Sequence, residues 1–342
     1  MSEDWIGKAR AAVGEGTPDD YAIAPTRHAD EHEVRAPSLA RFLRRGAFRT
    51  LAEKFERLDR DAVAAQARHV RTMTWANRAI LAAACATALV MGLAVYWPDP
   101  SRQMPPVVRG ILVASSLAAA VLGALAAALQ WKAGQGNYLG EWVRKRAGAE
   151  AARLAYMNEV TAATIDDPNP GYGELLKLNY FRRYQLAVQL AFYDRRGGDL
   201  REASDRYLTL AAVAVFLGTL VTAVSASASM GIAQLLPLTA VGAVGVAVSS
   251  YASAQDALHN TRRNAERYER TYGILLELAG KLGAVEDAIV NGQKDALATF
   301  VAAVHEPLSL EHRQFLELGD SQLSGMARLK EQLEAGARPK QP

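Results

Sequence analysis

The stretch VVRGILVASSLAAAVLGALAAALQW, residues 107–131, carries a single charged side chain, Arg109, at its third position. A helix needs about 20 apolar residues to cross the roughly 30 Å of hydrocarbon in a bilayer, so this stretch is long enough to span a membrane. Three further stretches share its character, which gives four predicted spans: 79–97, 107–131, 207–229 and 232–254. A core helix of a large soluble protein is the alternative for any one of them, but four together favour a membrane protein.

The distribution of Lys and Arg predicts how these spans are oriented. Basic residues are dense before the first span, between the second and third, and after the fourth, whereas the loop between spans one and two has only Arg102 and the turn at Met230 and Gly231 has none. Cytoplasmic flanks carry the excess of basic residues. We therefore expect two hairpins with both termini and the central segment in the cytoplasm. Because the first 70 residues are polar and contain no apolar core, we expect no signal peptide.

The chain divides in sequence order into four expected regions. Residues 1–36 are rich in Gly, Pro and charged residues and are expected to form a flexible polar arm. Residues 37–160 are expected to form a cytoplasmic helix, the first hairpin and its exit helix. Residues 161–282 repeat that plan around the second hairpin, with a helix pause at Gly197 and Gly198 and a new helix capped by Asp199. Residues 283–342 are expected to form C-terminal helices and a polar tail. The predicted fold class is all-α.

Two apolar stripes at alternating spacings of three and four residues predict helices that pack on other helices. The first stripe consists of Leu51, Phe55, Leu58, Ala62, Ala65 and His69; the second consists of Leu258, Thr261, Ala265, Tyr268, Tyr272, Leu275, Ala279 and Leu282. We expect the chain to form homo-oligomers through these two stripes.

The string HADEHE, residues 28–33, contains the strongest metal-like pattern. His28 and His32 are four residues apart, which would place two imidazoles on one helix face, as zinc requires. Ala29 stands where a metalloprotease has Glu, however, and Pro25 and Pro37 bracket the string, so a solvated polar arm is favoured over a metal site. With one cysteine, Cys85, and no convergent nucleophile and base, the sequence predicts neither an enzyme nor a cofactor.

The predicted third span carries a stripe of hydroxyl side chains. Its members are Thr219, Thr222, Ser225 and Ser229. Two interpretations stay open: close helix packing, in which hydroxyls bond back to carbonyls or across helices, and the lining of a water-filled pore in an oligomer.

A weak internal repeat links the two exit helices. Arg146, Ala149, Glu150 and Tyr156 match Arg262, Ala265, Glu266 and Tyr272 at a constant offset of 116 residues. Each set follows the second span of a predicted hairpin, which favours duplication. The basic residues of these helices are nearly balanced by acids, so nucleic acid is not an expected partner.

The order of these features resembles a known family. FERLDRDAVAAQARHVRTMTW enters the first hairpin, WVRKRAGAEAARLAYM leaves it, YQLAVQLAFYDRR leads to the second and RRNAERYERTYGIL follows. This order is similar to the SLATT proteins, the SMODS- and SLOG-associating membrane effectors of bacterial conflict systems, over roughly residues 45–316. Trp142, Arg146, Glu150 and Arg153 match the family signature.

The resemblance implies a function. SLATT proteins are thought to respond to nucleotide-derived signals and to perforate the membrane, so we expect a pore-forming or depolarising effector in the bacterial inner membrane, with lipid and a soluble sensor or signal-generating protein as partners. Long relatives often carry a sensor domain ahead of the membrane part, whereas about 45 residues precede it here. The alternative is a non-conducting scaffold or receptor subunit that docks a soluble partner through its cytoplasmic helices.

Overall fold

The structure, a computed structural model, describes residues 2–96, 105–229, 239–311, 313–314 and 316–317. These residues are almost entirely helical and form no strand, which confirms the all-α prediction. The helices are α1 (Ser2–Val13), α2 (Pro25–His32), α3 (Pro37–Leu43), α4 (Gly46–Tyr96), α5 (Pro106–Gln135), α6 (Tyr138–Ala162), α7 (Pro170–Phe181), α8 (Val188–Ser229), α9 (Thr239–His259), α10 (Thr261–Gly280), α11 (Leu282–Val290) and α12 (296–311). A 3-10 turn (Pro18–Tyr21) follows α1, and a π-helical segment (Arg182–Ala187) joins α7 to α8.

The chain forms two compact units, each assembled from separate stretches. The first unit comprises residues 1–66, 139–198 and 265–342, and the second comprises residues 67–138 and 199–264. The first unit holds a continuous apolar core in which Tyr156, Leu175, Tyr180 and Phe181 are fully buried. The second unit contains the most apolar parts of the chain.

Residues 1–36 do not form the flexible arm that we expected. They form α1, the 3-10 turn and α2, and they place Ala9, Val13 and Ala29 in the core of the first unit. Their charged side chains pair with distant partners: Arg10 Nε donates to Glu286 Oε1 at 2.8 Å, and other bonds join Arg182 to Glu15. Small residues and ion pairs attach this segment to the core. Because no wide apolar face is needed, its sequence shows no clear apolar period.

Both apolar stripes are used for packing within this chain. In the first stripe Phe55 and Ala62 are buried, and Leu51 and Leu58 pack against the core of the first unit. In the second, Ala265 and Leu275 are buried, while Tyr268, Tyr272, Ala279 and Leu282 pack against the same core. The two stripes therefore pack helix on helix within the chain, while several of their residues, such as Leu58 and Tyr272, stay half-buried. Their use as contacts between copies stays a prediction.

Helix α8 runs through the predicted pause without interruption. Gly197 and Gly198 lie inside it, so Asp199 is not a helix N-cap, and the expectation of a new helix there is wrong. A glycine in a helix costs only about 1 kcal/mol relative to alanine. Burial of Tyr193 and Leu200, seven residues apart on one helix face, outweighs that cost.

Three helical stretches of the described chain are long and apolar enough to cross a membrane: Gly46–Ala94, Pro106–Gln135 and Pro170–Val224. In the last two, only 6% of the most apolar 18-residue window is buried, so these windows are not packed inside the core of this chain. Val107, Leu117, Val121 and Phe216 are each more than 60% exposed, as lipid-facing residues would be. The structure is therefore consistent with a membrane protein. The predicted fourth span, 232–254, begins outside the described residues.

Candidate functional site

A buried arginine organises the polar interior of the first unit. Arg153 on α6 is fully buried, and its guanidinium donates to Gln185 Oε1 at 2.8 Å and to the backbone oxygens of Tyr21 and Tyr184, both at 2.9 Å. It also lies over the rings of Tyr21 and Phe55, 4.5 and 5.7 Å from their centroids. Neutral oxygens and ring faces thus stabilise a buried cation. The π-helical segment supplies two of these acceptors because its wider turn shifts Tyr184 and Gln185 relative to an α-helix.

Two histidine–tyrosine pairs lie next to this arginine. His28 Nδ1 is 2.8 Å from the Tyr180 hydroxyl, and His32 Nε2 is 3.1 Å from the Tyr184 hydroxyl. The Tyr180 hydroxyl also lies 2.7 Å from the Tyr156 hydroxyl. The two histidines are four residues apart, and so are Tyr180 and Tyr184. One helical turn of α2 therefore lies alongside one turn at the junction of α7 and the π-helical segment. The His28 ring stacks on Tyr184 with centroids 3.9 Å apart.

These histidines are neutral at physiological pH. Burial lowers the pKa of His28 to about 3, and the positive charges of Arg27 and His32 act in the same direction. Burial also lowers the pKa of His32, although Glu31 opposes that shift. Burial raises the pKa of the Tyr156 phenol, which keeps it protonated. The network is therefore built from neutral hydrogen-bonding groups around one permanent cation.

Two atoms of the network have no partner. His28 Nε2 and Gln185 Nε2 are buried and make no hydrogen bond to any described residue. A buried polar atom without a partner costs about 1–3 kcal/mol. A rearrangement that supplied hydrogen-bond partners to these two atoms would recover that free energy.

An ion cluster lies further along the same face of α6. Arg146 contacts Glu150 at 2.5 Å and Asp59 at 3.3 Å. Although burial opposes it, the charge of Glu150 raises the pKa of Arg146, with Tyr21 and Asp59 acting in the same direction. Arg146, Glu150 and Arg153 are three of the four residues that were expected from the resemblance to match a family signature, and all three lie on one side of α6. The fourth, Trp142, is half-buried at the start of this helix.

The second set of the predicted repeat has a different environment. Arg262 and Glu266 on α10 are exposed, whereas Arg146 and Glu150 are half-buried. Ala149 and Ala265 are both buried. Tyr156 is fully buried, while its counterpart Tyr272 is half-buried and packs on the rim of the core. The two sets therefore share helical position but not surroundings.

The hydroxyl stripe of α8 lies beside α9 in the second unit. Thr219 and Thr222 line a groove with Val215, Gly218, Ala223, Gly242, Ala243 and Val246. The Thr222 hydroxyl donates to the Gly218 carbonyl at 2.8 Å. A Cβ on Gly245 would lie 2.5 Å from the Ala214 carbonyl oxygen, so α8 and α9 approach closely here. The side chains of Ser225 and Ser229 lie outside the described residues.

Sequence reasoning missed the partners of His28 and His32. The signal was present as YFRRY, residues 180–184, whose tyrosines repeat the four-residue spacing of the two histidines. Equal spacing does not show that two distant segments face each other, so the histidines of HADEHE were not connected with these tyrosines. Within the described parts of the chain, no three His, Cys, Asp or Glu side chains are grouped so that they could hold a metal ion.

No family model, curated protein or solved structure matches this chain.

Proposed function

We propose that the protein is a four-span, two-hairpin protein of the bacterial inner membrane, with both termini cytoplasmic, that permeabilises and depolarises that membrane as a homo-oligomer. The first unit is then a cytoplasmic control domain, and the second carries the spans. The motifs around Trp142 and Arg146 resemble those of SLATT effectors, and this resemblance supports the proposal. If the protein acts as SLATT effectors are thought to act, its activating signal is a nucleotide-derived molecule. That molecule reaches the first unit directly or through a soluble sensor protein.

The groove between α8 and α9 is the observation that carries the proposal. It places Thr219 and Thr222 in a wall that is otherwise made of Gly, Ala and Val. Arg109, near one end of its span, is the only charged side chain in the four predicted spans. Hydroxyls on one face of an apolar helix are therefore the groups with which these spans can hold water. Because four spans enclose too little space for an aqueous path, several copies would have to bring these walls together.

The polar network of the first unit supports a control function. A buried cation is held there by neutral acceptors, and two buried nitrogens beside it have no hydrogen-bond partner among the described residues, so a group that bonded to them would favour a different arrangement of the network. In the proposed mechanism the resting network holds α6, α7 and α8 in one arrangement. A signal that rearranges this network also moves the residues of α8 that follow the π-helical segment.

The test is conduction by the purified full chain. Proteoliposomes that hold a potassium gradient would report depolarisation through a potential-sensitive dye, and induced cells would report it in vivo. The variant Thr219→Val with Thr222→Val exchanges two hydroxyls for methyl groups at nearly constant volume, and we expect it to reduce the depolarisation rate at least about tenfold.

The matched control is Thr209→Val, an exposed threonine of the same helix that does not line the groove. It should conduct like the wild type. If expression of the wild-type chain arrests cell growth while the membrane potential stays unchanged, that result would refute the pore proposal.

A non-conducting scaffold is the second candidate. The observation that favours it is the bond from Thr222 to Gly218, which already satisfies that hydroxyl within its own helix. A scaffold predicts that the double threonine variant captures a soluble partner as well as the wild type, and that neither protein changes the membrane potential.

A further inference from the structure

A second groove in the second unit combines basic, aromatic and apolar groups. Helix α4 contributes one wall and α5 the other, and the lining residues are Arg71, Thr72, Trp75, Arg78, Ala79, Ala82, Leu122, Leu125 and Leu129. Positions 71, 75, 78 and 82 follow one face of α4, and positions 122, 125 and 129 follow one face of α5. The groove is therefore a continuous channel along two helices.

One end of the groove is cationic. Arg71 and Arg78 are exposed, and neither guanidinium has a carboxylate partner among the described residues. They are two helical turns apart, roughly 10 Å. Trp75 lies between them and is 57% exposed, with the Arg78 guanidinium 5.5 Å from its ring centroid. Two unpaired guanidiniums beside an indole with a polar N–H edge form a site for an anionic oxygen group.

The other end of the groove is apolar. Ala79 and Ala82 leave its floor shallow, and three leucines of α5 form the opposite wall, with Leu125 48% exposed. Arg78 directly precedes the predicted first span, 79–97, so the change from charged to apolar lining coincides with the expected edge of the hydrocarbon. Tryptophan and arginine are characteristic of that edge.

We propose that this groove binds one anionic glycerophospholipid of the surrounding membrane. Its headgroup phosphate lies between Arg71 and Arg78, and one acyl chain follows Ala79, Ala82 and the leucines. A free anion would use the cationic end alone, and an apolar peptide would leave both guanidiniums unpaired. Only a lipid with a negative headgroup satisfies both ends. The proposal depends on the placement of the chain in a membrane, but not on pore activity.

The experiment measures lipid preference directly. Full-length protein in detergent is titrated with phosphatidylglycerol and, separately, with phosphatidylcholine, and bound lipid is counted by native mass spectrometry. A basic side chain near an anionic surface contributes about a fivefold preference. We expect the wild type to prefer phosphatidylglycerol by roughly 30-fold. The variant Arg71→Gln with Arg78→Gln should reduce that preference to within about threefold.

The matched control is Arg57→Gln with Arg60→Gln, which removes two positive charges from the exposed surface of the same helix outside the groove. It should keep the wild-type preference. A second variant, Leu125→Trp, fills the apolar end without changing charge and should weaken binding of both lipids.

Several results would overturn the proposal. They are equal binding of the two lipids by the wild type, an unchanged preference in the double glutamine variant, or displacement of bound lipid by an equimolar amount of glycerol phosphate. The last result would identify a soluble anion as the ligand. Because conduction is not measured, a chain that prefers the anionic lipid but leaves the membrane potential unchanged would refute the pore alone.

Discussion

The two units of this chain bury opposite kinds of side chain. In the first unit, Arg153, His28 and Gln185 are almost fully buried and bonded, and charged residues bring the N-terminal helices to the core. In the second unit, large apolar residues such as Leu117 and Val121 are more than 60% exposed. The first pattern suits a domain surrounded by water and the second suits a domain surrounded by lipid. The difference is consistent with a chain whose two units meet different solvents, and the contribution of each unit to stability can be tested by separate substitutions.

The largest expected effect is on the first unit. Arg153→Met removes a fully buried guanidinium that donates to three oxygens, and the bonds to the Gln185 and Tyr184 oxygens are buried. A buried acceptor that loses its donor costs about 1–3 kcal/mol. We expect the free energy of unfolding to fall by about 3–5 kcal/mol, measured by chemical denaturation in detergent. Arg144→Met, at an exposed arginine of the same helix, is the control and should change it by less than about 0.5 kcal/mol. Equal effects would show that Arg153 is not the centre of the network.

The next effect tests the second unit. A Cβ on Gly245 would lie 2.5 Å from the Ala214 carbonyl oxygen and 3.0 Å from Gly218 Cα, so Gly245→Ala must separate α8 from α9. Forcing extra volume into a packed contact costs up to about 3 kcal/mol. Thermal unfolding in detergent should detect the loss. Gly123→Ala is the control, because a Cβ there has nothing within 4 Å; a similar loss in both variants would argue against close α8–α9 packing.

A third effect is a pH dependence confined to the first unit. Burial lowers the pKa of His28 to about 3, below its ordinary value of 6.5. The unfolded chain therefore binds a proton below pH 6.5 that the folded chain does not, so stability is lost as the pH falls through this range. Between pH 7.5 and pH 5 this histidine alone should lower the free energy of unfolding by about 2 kcal/mol.

The variant His28→Phe keeps a ring that can stack on Tyr184 and removes the titrating group. The drop in stability between the two pH values should be smaller in this variant by about the same 2 kcal/mol. An identical pH dependence in the variant and the wild type would mean that folding leaves the pKa of His28 unchanged.

The smallest effect concerns a single hydroxyl. Tyr180→Phe removes the group that bonds to both His28 and Tyr156, and we expect a loss of about 1–1.5 kcal/mol in the free energy of unfolding. Tyr272→Phe is the matched control at a half-buried tyrosine on the rim of the same core. Chemical denaturation of the two variants side by side measures the difference, and no difference would exclude a structural contribution from the Tyr180 hydroxyl.

Much of the helical content was predictable from local pattern, and much of the site was not. The apolar run 107–131 was correctly predicted to form one helix long enough to cross a membrane, because both its helical character and its length follow from consecutive residues. The glycine pair in α8 misled the prediction, since its cost is small compared with burial elsewhere on the helix. The order of residues 1–36 was missed because many of their stabilising contacts are ion pairs and hydrogen bonds to residues more than 100 positions away.

The sequence by itself determined that this protein is all-helical and that parts of it are apolar over the length of a membrane span, because both properties depend on composition and on a period of 3.6 residues. It also placed Arg146, Glu150 and Arg153 on one helix. Only the tertiary structure decided that the two apolar stripes pack against helices of the same chain, that His28 and His32 face Tyr180 and Tyr184, and that Arg71 and Arg78 share a groove with leucines of α5. Those facts depend on which distant helices pack together, and the free energy of that packing is shared among many residues that no local pattern connects.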